Sequence, residues 1–422
     1  MVDLLIENGY VLTMTGSGVG LTENGSVAVE AGKIVKVGKS HEFSSIRTNA
    51  QERIDATGKA VMPGLVDAHI HTYLTLLRGE AQDVPETEWM IKTVAPFSKH
   101  LDEDSMVKGS ALGVLEAVKS GTTLFGDYGS NMDRIVKDVH ARFGVRANIC
   151  TSVNEIRTLS GQDVNKPYEF DADIGEQKLR ENLRLVDAWH NALSGRVTCC
   201  LGPQAADMMS KEMLLRVKEI AEEKGLMIHF HLAQGGREGI QIRLRYGKST
   251  VRFLDEIGFL GSRLMGVHCH GASEDEIQLI AERGVRMISC PSSIGLIDGI
   301  VSPLHAYLAA GGQSAALGSD QACGNNCHNM FAEMKIAALL NKVRHRDPTV
   351  LPAWKVLRLA TVEGARTLGL GDRVGTLEAG KEADIILVDL KKPHLTPVLL
   401  GPVRNIAPNL VYSARGLSLI HI

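Results

Sequence analysis

His69 and His71, in VDAHIHTYL, are the first side chains in the sequence whose type and spacing point to chemistry. Residues two apart on a β-strand face the same side, so both imidazoles would converge at the strand's carboxyl end and supply half of a metal site. Three further apolar runs end in groups of the same kind: His231 in IHFHLA, His268 in GVHCHG and Asp320 in ALGSD. Three neutral imidazoles and one carboxylate form a donor set with a single negative charge, which suits Zn²⁺ or Fe²⁺ and leaves a position for water. His229 and His270 stand two residues from His231 and His268, so at this point the labels within each pair are exchangeable. A bridged pair of metals needs another anionic ligand, and RVTCCLGPQ holds no lysine to be carbamylated, so one divalent metal is expected. Cys323, Cys327 and His328, in SDQACGNNCHNM, are a rival set because thiolates bind zinc well. Their separation from the other strand ends favours reading them as unpaired loop residues.

Such convergence requires a scaffold that collects strand ends. Between about Asp102 and Thr361, helical runs alternate with the short apolar strands TTLFGDY, VRANICTSV, RVTCCLG, LMIHFHLA, LMGVHCH, VRMISCP and QSAALGSD. Helices are expected after them, for example over Lys211 to Lys224 and Ser273 to Arg283. With the strand ending at His71 this makes eight, the number that closes a (β/α)₈ TIM barrel, whose functional residues gather at the strands' carboxyl ends. The first sixty residues and the stretch RVGTLEAGKEADIILVDL read instead as β-strands with turn punctuation, so the two chain ends are expected to share one accessory β unit. A length of 422 residues accommodates both parts.

Composition narrows the class. A formal net charge of −3 with mixed signs gives no basic stripe, so nucleic acid is not an expected partner. No apolar run reaches the roughly 18 residues that span a bilayer, so no membrane is expected either. Seven scattered cysteines, and a start (MVDLLIENGYVL) without a basic flank or cleavage site, point to the reducing cytoplasm. The expected partner is a small-molecule substrate.

The segments PGLVDAHIHTYLTLLRG, IHFHLAQ, GVHCHGASEDEI, ALGSDQACGNNCHNMFAEMKIAALL and VGTLEAGKEADIILVDL resemble, in order, successive signatures of the amidohydrolase superfamily. The branch they most resemble looks like that of methylthioadenosine/S-adenosylhomocysteine deaminases and triazine chlorohydrolases. The resemblance implies a distorted α/β (β/α)₈ barrel over 59–369 and a β-sandwich composed of 1–58 and 370–422. It implies that His69, His71, His231 and Asp320 hold one divalent metal, zinc ahead of iron. His268 would orient the attacking water or polarise the substrate, while Asp320 takes the water's proton. Glu88, in PETEWM, matches a glutamate used on ribose hydroxyls, with Trp89 beside it as packing. Family habit also implies a homo-oligomer.

Three substrate-side positions depart from the pattern. Gln234 in HLAQ replaces a glutamate that shuttles a proton to the ring nitrogen and leaving amine; an amide cannot donate and recover a proton at ordinary pH. Gln204 in GPQAADMM replaces a histidine, and Ser289 opens SCPSSI where the family has HNPASN. The resulting expectation is a metal-dependent hydrolase of a carbon–nitrogen bond other than a peptide bond, of deamination type, acting on a small nitrogen heterocycle or nucleoside-like substrate. The alternatives are a hydrolytic dehalogenase or ring-substituent hydrolase of triazine type, or a weakly active metal-binding paralogue. At the other end, VYSARG runs directly into LSLIHI where further sandwich strands would follow, so a truncated or imperfect frame and an unpaired sheet edge are expected.

Overall fold

The computed structural model describes residues 2–80, 83–415 and 419–421. The chain opens with β1 (Leu4–Leu12), β2 (Leu21–Glu30), β3 (Lys33–Lys39), β4 (Glu52–Asp55) and β5 (Lys59–Pro63). The next strands are β6 (Leu65–Ile70), β7 (Thr122–Gly129), β8 (Arg146–Val153), β9 (Val197–Cys199), β10 (Gly202–Pro203), β11 (Ile228–Leu232), β12 (Leu264–His268), β13 (Arg286–Ser289) and β14 (Ala315–Leu317). All pairings among β6–β14 are parallel. Bridges at Leu201–Ile228 and Ala205–His231 join the two halves on one side, and Ile70–Asp320 joins them on the other. The result is a curled parallel sheet closed into a distorted (β/α)₈ barrel.

Alternation along the strands sorts their side chains. Leu124, Cys150, Cys200, Met265, Val267, Ile288 and Ala316 pack in the barrel interior, while neighbours such as Phe125, Ile149, Cys199, Leu264 and Met287 join the larger core under the helices. Those helices include α1 (Glu103–Lys119), α2 (Ala172–Trp189), α3 (Lys211–Lys224), α4 (Gly236–Tyr246), α5 (Glu274–Glu282), α6 (Pro291–Ile297) and α7 (Met330–His345). Local sequence sets their ends. The Ser210 hydroxyl accepts the Met213 N–H to start α3, which stops at Gly225 in the left-handed region. Ser273 and Glu276 form a capping box on α5. On α3, Met213, Leu214, Val217 and Ala221 recur at helical spacing and are buried against the sheet. Both helix expectations are met, the second with one residue fewer at each end. No helix among the described residues is long and apolar enough to cross a membrane.

Strands from both chain ends pair in one sheet. β15 (Ile385–Asp389) and β16 (Leu419–His421) extend the order to β16-β15-β5-β1-β2-β3, with β4 on β1. Ile6, Val27, Val29, Ile34, Val61, Ile385 and Leu387 form this sheet's own core, while Ala60, Met62, Ile386 and Val388 on the opposite face join the barrel's. β5 pairs with β1 and β15, so residues 59–63 lie in the terminal sheet and the barrel's first strand starts at Leu65. β16 pairs antiparallel with β15 and occupies that edge; residues 416–418 and 422 of the terminal segment lie outside the described residues.

Arg146, at the start of β8, ties the two parts together. Its guanidinium makes two hydrogen bonds, of 2.9 and 3.1 Å, to Asp384 just before β15, and the arginine is almost fully buried. Removing one partner strands a charge at the junction. Arg146→Ala should therefore lower unfolding free energy by about 3 kcal/mol in a denaturant titration; a loss of less than about 1 kcal/mol would show that the pair behaves as an exposed one.

Candidate active site

The carboxyl ends of β6, β11, β12 and β14 bring five of the predicted residues into one ring. His69 and His231 have ring centroids 4.9 Å apart, His71 and His231 5.5 Å, and His231 and His268 5.5 Å. Asp320 Oδ1 lies 3.5 Å from His69 Nε2 and 3.3 Å from His71 Nε2, and its Oδ2 lies 3.9 Å from His268 Nε2. His268 and Asp320 both have φ in the left-handed region, +77° and +62°, so the chain is strained where it turns these groups inward. Gly318 permits the approach, because a Cβ there would lie 2.7 Å from the His69 carbonyl oxygen.

Hydrogen bonds orient the rings. His71 Nδ1 lies 2.8 Å from the Tyr128 carbonyl and His231 Nδ1 2.8 Å from that of Gln204. A carbonyl only accepts, so both protons sit on Nδ1 and both Nε2 lone pairs are free. His69 Nδ1 is 2.8 Å from His229 Nε2. The Ser293 hydroxyl donates to Asp320 Oδ2 at 2.6 Å. His69 Nε2, Asp320 Oδ1 and both nitrogens of His268 are buried without a hydrogen-bond partner among the described residues.

Unpartnered buried polar atoms are costly, and here they converge. His69, His71 and His231 offer ligand atoms within 4.8 Å of one another, as do His69, His268 and Asp320. Neutral imidazoles with one carboxylate fit a divalent ion, His69 belonging to both groups. Electrostatics agree. Burial holds the His69 and His268 imidazoles well below the usual histidine range and His231 down to about 4. Burial alone would raise the Asp320 carboxyl, but the proximity of the His69, His71 and His268 imidazoles outweighs it and holds the carboxyl well below the usual carboxylate range.

The exchangeable pairs resolve by depth in the barrel on β11 and by the left-handed turn at His268, where β12 ends. His231 joins the ring, whereas His229 lies one interior layer deeper with Cys150 and Cys200. His268 joins it, and His270 instead faces Asp298 at 3.0 Å. The rival set stays apart: Cys323 is buried near Trp89, and His328 links Ser319 to Thr75.

A cavity of about 400 Å³ opens onto the ring, lined in part by His71, Tyr128, Gln204, His231, Gln234 and Gln321. Gln204 Oε1 accepts from Ser152 and Asn154, and Asn154 Oδ1 accepts from Lys178. Two expected substrate residues lie elsewhere. Glu88 is exposed and pairs with Lys92 at 3.4 Å, because the short helix carrying it turns Glu86 and Trp89 inward and Glu88 outward. Ser289 is fully buried outside the cavity lining, since alternation assigns Ile288 and Cys290 to the barrel interior and Ser289 to the outward face. Sequence reading missed Tyr128, Ser293, Asn154 and Lys178. Tyr128 ends the strand TTLFGDY and carried the same strand-end signal as the histidines, and Ser293 stands in SCPSSI where it matches the serine of HNPASN; the other two had none.

The depressed imidazoles have a consequence for pH. An unfolded His231 binds a proton near its ordinary value of 6.5, whereas the folded one resists until about 4. The unfolded state thus gains protons first, and the contribution of His231 to metal-free stability, read as wild type against His231→Phe, should rise with pH across that window and level above it. Metal affinity measured against a chelator should hold steady above the window and collapse as pH falls through its lower end. A difference between wild type and His231→Phe that is independent of pH over this range would contradict a buried, neutral His231.

Comparison with known proteins is consistent with this geometry. The amidohydrolase family profile matches residues 60–421. The chain is 39% identical to a 5'-deoxyadenosine deaminase of Methanosarcina acetivorans, covering 99% of this chain and 90% of that protein. It is also 39% identical to a 5-methylthioadenosine/S-adenosylhomocysteine deaminase of Desulforudis audaxviator, over 97% and 89%. Among solved structures, an adenosine deaminase from Xanthomonas campestris with bound zinc superposes with a TM-score of 0.88 at 30% identity, covering 99% and 90%. An atrazine chlorohydrolase from Arthrobacter aurescens shares the fold, with a TM-score of 0.81 at 23% identity over 97% and 91%. A barrel whose strand ends gather histidines around one aspartate, matched along nearly its whole length, makes this chain a member of the amidohydrolase family and a hydrolase of carbon–nitrogen bonds other than peptide bonds.

Proposed function

We propose that the chain deaminates an adenosine-type nucleoside using a single zinc ion held by His69, His71, His231 and Asp320. The observation that carries this reading is the convergence of unpartnered imidazole nitrogens and one carboxylate oxygen beside the cavity. A divalent ion held by these residues would supply a water acidified enough to act as nucleophile near neutral pH. Asp320 accepts that water's proton, its carboxylate anchored by Ser293 and kept ionised by the surrounding imidazoles. His268, with both nitrogens free, orients the water or polarises the ring carbon under attack. Gln204 and Gln234 offer amide hydrogen bonds from the cavity wall.

The relatives' substrates support the class, and the cavity supports a charged extension. Lys99, Arg157 and Lys178 line it, and no carboxylate does so among the described residues. Asp171 neutralises Arg157, which leaves the lysines for an anionic substituent at the far end of the nucleoside. Seven cysteines, six of them buried, fit the reducing cytoplasm. A homo-oligomer, proposed from the resemblance, is read by light scattering.

Gln234 favours a second reading, removal of a ring substituent such as a halide, which leaves without being protonated. Assays on adenosine-type nucleosides and halogenated triazines, scored for ammonia and halide, separate the two. Ammonia release from a nucleoside, falling on the order of 10²–10⁴-fold or more in Asp320→Ala, is the expected result; halide release alone would transfer the function to the second reading, and no turnover on either panel would leave a metal-binding paralogue. Gln234→Glu should raise ammonia release, and an unchanged rate would show that the missing carboxyl does not limit the reaction.

A further inference from the structure

His229 is an anomaly in the barrel interior. Along β11, Ile228, Phe230 and Leu232 face the outer core, so His229 and His231 both point inward. His231 reaches the ring, but His229 is completely buried one layer below, among apolar side chains and the thiols of Cys150 and Cys200. A polar ring in such a place is unfavourable unless its hydrogen bonds are made. The one hydrogen bond of its ring among the described residues crosses the barrel, from β11 to β6 on the opposite side, and ends on His69 Nδ1 at 2.8 Å.

Resting on the metal reading above, we propose that His229 is a positioning residue that holds His69 in its metal-ligating tautomer. His71 and His231 are set by carbonyls, which only accept. His69 alone depends on another imidazole, which can donate or accept. For His69 Nε2 to present a lone pair, its proton must sit on Nδ1 and be donated to His229 Nε2. The His229 proton then sits on Nδ1, which has no hydrogen-bond partner among the described residues and only the weakly accepting sulfurs of Cys150 and Cys200 nearby. The arrangement costs His229 one satisfied nitrogen and orients a ligand shared by both halves of the ring.

The test uses the full chain with His229→Phe, which keeps a ring and removes the acceptor, and His229→Gln, whose amide oxygen can accept at the same reach. Zinc stoichiometry is read by elemental analysis and affinity by competition with a chromophoric chelator, alongside metal-free melting temperatures. The expected result is a His229→Phe affinity about 10–100-fold weaker than wild type with an undiminished metal-free melting temperature, and recovery of most of the loss in His229→Gln. Should His229→Phe fail to fold, His229→Met carries the same comparison. Wild type that binds zinc no more tightly than His229→Phe overturns this inference alone, whereas wild type that takes up no ion overturns the metal reading and this inference with it. A sulfur-to-cobalt charge-transfer band in Co²⁺-loaded protein, lost in a Cys150→Ser/Cys200→Ser double variant, would assign His229 to a second ion and also overturn it.

Discussion

The seam between β14 and β6 closes the barrel and assembles the site in one stroke. Asp320 N–H donates to the His69 carbonyl at 2.8 Å, and its own carbonyl accepts from His71 N–H. The adjoining Ser319 donates to Asp67 through both its N–H, at 2.9 Å, and its hydroxyl. The residue that joins the last strand to the first thus also places the carboxylate between the first two histidines. Burial of Asp67, whose carboxyl is pushed up to about 7, makes those two donors from Ser319 necessary.

Around that seam the site stores electrostatic energy rather than relieving it. Five aligned groups are buried with several of their polar atoms unsatisfied, a state that ordinary cores avoid. Backbone carbonyls, a serine hydroxyl and a second imidazole fix the ring orientations from behind, so the inward-facing atoms have nowhere else to turn. Preorganisation of this kind lets a cation find its ligands without reorganising them.

The cavity wall is framed by a second buried constellation. Arg237, at the start of α4, pairs with Glu86 at 3.0 Å and with Asp207, and all three are almost fully buried. Buried ion pairs add little net stability, because desolvation offsets attraction, but they fix the relative position of their elements. Here those elements are the helix after β11, the loop after β10 and the short helix that carries Trp89 into the cavity. Gln204 and Gln234 stand on this rigid frame and line the cavity.

The sequence by itself determined the alternation of strand and helix, the barrel, the sharing of a sheet by the chain ends and the histidines and aspartate at strand ends. Period-two and helical patterning, with caps such as Ser210 and Ser273, are local properties, and a barrel converts strand-end position directly into proximity. The sequence could not separate His231 from His229 without the resemblance, since both point inward and differ only in depth. It read Glu88 as a cavity residue and left Asn154 and Lys178 unmarked, because the facing of a short helix and the reach of a loop depend on what packs against them. Tertiary structure alone decided that His229 meets His69: the two are 160 residues apart and lie on opposite strands, and only closure of the barrel brings their rings within hydrogen-bonding distance.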